Sequence, residues 1–109
     1  MAKSRTSGAK ASGAKASGLD ISGLTFKSIP QSTKSKVETS TKIRQALRNG
    51  QTLFLRNDDT GNAESYKLNK KDMTFTVTNK NGTKTVSYED GGNSWASWLI
   101  SKNRSYSLK

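Results

Sequence analysis

Between Ala2 and Gly18 the chain carries no large apolar side chain, whereas Leu53 to Leu99 holds most of those it has. A core cannot be built from the first stretch, so the sequence divides into a tail and one small domain. Within the tail, Ser7 to Gly18 spells two copies of SGAKA and the start of a third. Its glycines recur every five residues, which matches neither the 3.6 period of a helix nor the 2 of a strand. Glycine and serine both disfavour helix, and nothing is buried in return, so disorder is the expectation for residues 1–18. The apolar fraction of 30% falls below the roughly 45–50% of an ordinary globular chain, a figure that counts glycine too. That shortfall is concentrated in the tail.

Charge narrows the class of partner. The formal net charge is +11. Residues 1–36 hold seven Lys or Arg against Asp20, and the remainder holds twelve against seven acids. Both parts are basic, and the tail is the purer cation. A flexible cation suits a phosphate backbone, whose charge repeats along a line and requires no fixed geometry. On this basis Lys3, Arg5, Lys10 and Lys15 are candidate phosphate contacts. The alternative is a solubilising spacer.

The chain has no cysteine and no histidine. That removes disulfides, thiolate chemistry, the commonest metal ligand and the usual general base, and it fits a cytoplasmic, nucleic-acid-associated or virion setting. The longest apolar runs are three residues, Leu53-Phe54-Leu55 and Trp98-Leu99-Ile100, too short to span a bilayer. The basic start lacks an apolar h-region, so it does not read as a secretory signal. Its Ser/Ala-rich, acid-free composition suits a transit peptide, but alanine is the only apolar residue it offers.

Leu19, Ile21, Leu24, Phe26 and Ile29 form an apolar arm, residues 19–29, inside the basic tail of residues 1–34. Packing on its own domain is the expectation. Docking on a partner through Ile21, Leu24 and Phe26 is the alternative. Ser35 with Glu38 fits a capping box, and Ile43, Ala46 and Leu47 form an apolar stripe ahead of Gly50. This predicts a helix over 36–49 with Arg44 and Arg48 on a flank away from the stripe.

Four strands are predicted over 52–57, 63–69, 72–78 and 83–89. A type I′ turn centred on Asn81-Gly82 would pair Phe75 with Tyr88 and Val77 with Val86, putting apolar side chains on one face and hydroxyls on the other. Asp90-Gly91-Gly92-Asn93 then reads as a turn, and Ser94 as the cap of a short helix whose Trp95, Trp98 and Leu99 close the core. The expected domain, residues 35–109, is α+β: a helix, a four-stranded antiparallel meander and a short C-terminal helix. This layout resembles SH3-like and chromo-like barrels, although no motif of those families is present.

The acids do not read as catalytic. Asp58 falls at one end of the meander and Glu89 at the other, and Asp72 and Asp90 are ordinary turn residues. Residues 57–64 lack the ligand alternation and the glycine of a calcium loop. A phosphate nest at Asp90–Ser94 would be opposed by Glu89 and Asp90. No cofactor and no metal is implied. Phe54 alternates with Leu53 and Leu55, so it stands beside Arg56 on the opposite face, where the pair could stack a base and hold a phosphate. The competing expectation, and the favoured one, is that the first helix or the arm covers it.

The sequence therefore points to a non-enzymatic nucleic-acid-binding or nucleic-acid-associated protein, DNA or RNA. Lys3, Arg5, Lys10, Lys15, Arg44, Arg48, Phe54 and Arg56 are its candidate contacts. They serve the backbone rather than base readout. The competing class is a protein-interaction module, such as a virion component or an inhibitor that docks on an acidic protein surface through Ile21, Leu24 and Phe26.

Overall fold

The computed structural model describes residues 15–16, as backbone only, and 19–109. The order expected of the other tail residues falls outside these. In chain order the elements are β1 (Lys15–Ala16), β2 (Leu19–Asp20), β3 (Lys27–Ser28), α1 (Thr33–Arg48), β4 (Thr52–Asn57) and β5 (Ala63–Asn69). They continue with β6 (Thr74–Asn79), β7 (Gly82–Ser87), α2 (Tyr88–Leu99) and β8 (Arg104–Leu108). The fold is α+β. A six-stranded antiparallel sheet, ordered β3-β8-β4-β5-β6-β7, carries the four predicted strands at its centre and far edge. The first and last strands do not meet, so the sheet is open and no barrel forms.

Strict alternation sorts the sheet into two faces. Leu53, Tyr66 and Val77 are cross-strand neighbours, as are Leu68, Phe75 and Val86, and Leu55 faces Tyr106. These line the inner face, over which α1 lies on β4 and β5 and α2 on β5 to β7. Ile43 and Leu47 from α1, with Trp95 and Leu99 from α2, complete the core. The outer face carries Phe54, Arg56, Ser65, Thr76 and Thr85.

Three local differences from the sequence expectation have physical reasons. First, α1 begins at Thr33, because Ser32 is the N-cap and its hydroxyl accepts from the Ser35 N–H at 3.2 Å. Ser35 therefore lies in the first turn and no capping box forms. Second, the β6–β7 turn is Lys80-Asn81, so Phe75 pairs with Val86 and Val77 with Lys84. Positive φ falls on Gly82 alone (112°), which rules out a type I′ turn there. The register is two residues from the expected one. A two-residue slip leaves every side chain on its own face, so alternation could not tell the two apart.

Third, Asp90-Gly91-Gly92-Asn93 is helical. Ser87 caps α2 by accepting from the Asp90 N–H at 3.1 Å, and Glu89 and Asp90 lie in the first turn, where the helix dipole favours acids. Gly91 permits this. A Cβ there would sit 2.3 Å from Phe75 Cδ2 and 2.8 Å from Cγ, so α2 can reach the sheet only without one. Gly91→Ala should therefore lose stability, by about 1–3 kcal/mol, despite alanine's better helix propensity. Urea-induced unfolding would show this as a lower midpoint, and an unchanged midpoint would contradict the packing.

Four strands, β1, β2, β3 and β8, go beyond the sequence expectation. β8 joins the sheet between β3 and β4, with Tyr106 inward and Ser105 and Ser107 on the outer side. The arm adds β3 to the edge and sends Ile29 into the core, with its N–H donating to the Arg104 carbonyl at 2.9 Å.

Candidate nucleic-acid interface

The exposed flank of α1 near its C-terminus carries Arg44 and Arg48 one turn apart. Both line a cleft of about 330 Å³ between α1 and α2, floored by Leu47, Leu68 and Phe75 and walled by Tyr88 and Trp95. The Arg44 guanidinium lies 5.8 Å from the Trp95 ring centroid, within cation–π range. Tyr88 stacks on Phe75, with centroids 5.6 Å apart and planes 12° apart.

A third cation joins them from the β5–β6 turn. Lys70 Nζ donates to the Arg48 carbonyl at 2.9 Å, satisfying one of the open acceptors at the end of α1. Among the described residues no carboxylate lies within salt-bridge distance of Arg44, Arg48 or Lys70. In the sequence Lys70 reads only as a turn residue, because its approach to α1 depends on the pairing of β5 with β6. On the opposite flank of α1, Lys27 and Lys42 line a polar groove with Gln45, Asn49, Gln51 and Tyr106.

The other sequence candidates are placed differently. Phe54 is half-buried on the outer face between Ser65 and Ser107. Arg56 is engaged twice: its Nε is 3.0 Å from Asp58 Oδ1, and its guanidinium lies 4.3 Å from the Phe26 ring centroid. The arm thus folds back on its own sheet, and Phe26 occupies the stacking position beside Arg56. Ile21 and Leu24 are also half-buried, and β2 lies against β5. The structure therefore separates Phe54 and Arg56 from Arg44 and Arg48, which lie on the helical side. Lys15 is paired through its backbone with Asp20, and Lys3, Arg5 and Lys10 fall outside the described residues.

Asp58, Asp59 and Glu64 are occupied with structure. Asp58 accepts from Ser105 Oγ at 2.8 and 2.7 Å, and Asp59 from Asn103 Nδ2 at 3.2 and 3.1 Å, which ties the β4–β5 loop to the start of β8. Tyr66 donates to the Glu64 carboxylate, and its hydroxyl is 2.6 Å from Ser94 Oγ. Glu64 also accepts from Asn79 Nδ2 at 2.7 Å. Burial, followed by the Glu64 carboxylate, pushes the Tyr66 phenol well above the usual tyrosine range. It stays protonated at neutral pH, donates its one hydrogen to Glu64 within the sheet and accepts from the Ser94 hydroxyl, which joins α2 to the sheet. Among the described residues no three acids, histidines or cysteines group as a metal site, and no helix is long and apolar enough to cross a membrane.

Comparisons with protein-family models, curated proteins and solved structures find no match.

Proposed function

We propose that the chain is a small, non-enzymatic nucleic-acid-binding protein that contacts mostly phosphate, with little sequence selectivity. The observation that carries this reading is the convergence of Arg44, Arg48 and Lys70, free of carboxylate partners among the described residues, on a chain of net charge +11. Three cations held on the end of a helix and an adjoining turn present a fixed positive edge, to which the basic tail adds reach. The alternative, docking on an acidic protein through the arm, would require Ile21, Leu24 and Phe26 to leave their half-buried positions on the sheet.

Replacing Arg44, Arg48 and Lys70 together by alanine should weaken binding to unrelated DNA and RNA oligonucleotides alike. It should also reduce the steepness of log K against log salt by roughly 2, since each lost phosphate contact removes about 0.7–0.9. All three side chains are exposed, so the variant should keep its fold by circular dichroism. Unchanged binding would remove this edge from the interface.

A further inference from the structure

The two adjacent glycines of α2 differ in what they meet. Gly91 is required by Phe75, as described above. A Cβ at Gly92 would meet nothing within 4 Å, and its φ is not in the left-handed region. Neither packing nor backbone geometry calls for glycine there, although glycine in a helix is less stable than alanine. What Gly92 does is line the cleft between α1 and α2 and leave it open.

We infer that this cleft seats one unstacked base of a single-stranded nucleic acid, with its flanking phosphates on Arg44 and Arg48. This rests on the proposed function and adds the strandedness of the ligand. One wall suits a base: half-buried Tyr88 supplies aromatic surface, on which bases of any sequence pack, whereas Trp95 is buried in the core. The lip is polarised. Arg44 and Arg48 mark the α1 side, while Glu89 and Asn93 on the α2 side offer hydrogen-bond partners for a base edge. Glu89 repels phosphate, so the backbone runs along α1 and the base points toward α2. A base stacked within a duplex cannot enter a concavity between two helices. Duplex phosphates reach only the cationic edge.

The test compares a short mixed-sequence single-stranded DNA with the same sequence as duplex, using fluorescence anisotropy at low salt on the full chain. Wild type should bind the single strand about tenfold tighter or more, the scale of one stacked base. Gly92→Leu fills the cleft and should bring single-strand affinity down to the duplex level. Gly92→Ala should raise the melting temperature while lowering the single-strand preference, which separates occlusion from misfolding. A Gly92→Leu protein that keeps the preference, or a wild type without one, overturns the inference. If the wild type without preference still loses both ligands on alanine replacement of Arg44, Arg48 and Lys70, only the base seat falls. If wild type binds neither ligand, the proposed function falls with it.

Discussion

Trp95→Ala should remove about 3–5 kcal/mol of unfolding free energy. Trp95 is 3% exposed and joins both helices to the sheet, packing in one cluster with Ile43, Leu47 and Phe75. Its loss leaves a cavity that neither helix can close without giving up contacts on its other side. A small domain has only about 5–15 kcal/mol in total, so the variant should be largely unfolded at moderate urea. Trp98 provides the control. It is half-buried at the edge of the core, with the Arg104 guanidinium 5.3 Å from its ring centroid, and its replacement should cost clearly less. The sequence assigns both tryptophans equally to the core. Equal unfolding midpoints for the two variants would contradict the structure on this point.

What could be read in advance followed from local periodicity. The stripe of Ile43, Ala46 and Leu47 located α1, and alternation located β4 to β7, because each pattern repeats within a few residues. β8 carries the same alternation in Arg104, Tyr106 and Leu108. The pattern alone does not mark it as a strand, because it follows α2 with no hairpin partner adjacent in sequence. Its partners, β3 and β4, lie far away along the chain. By sequence the glycine pair reads as a turn, because local propensity disfavours helix there. Contact with Phe75, sixteen residues earlier, decides otherwise. The site divides in the same way. Arg44 and Arg48 share a flank by helical spacing alone, whereas Lys70 reaches that flank only through the sheet, and the cleft exists only once α2 is docked.

A second large effect is expected in the tail. Replacing Lys3, Arg5, Lys10 and Lys15 by alanine removes four positive charges without touching the helical edge. If all four meet phosphates, the slope of log K against log salt should fall by roughly 3, and affinity should drop across unrelated sequences. The weaker binding that remains should then depend on Arg44, Arg48 and Lys70. A slope identical to wild type would make the SGAKA repeats a solvated spacer and leave the domain as the whole interface.

The most direct measurement is the affinity of the wild-type chain for a mixed-sequence oligonucleotide, titrated from low to physiological salt. Seven engaged cations, Lys3, Arg5, Lys10, Lys15, Arg44, Arg48 and Lys70, predict a straight line of log K against log salt with a slope of about −5 to −6. Absence of binding at low salt, or an affinity that does not change with salt, would contradict a phosphate-binding role.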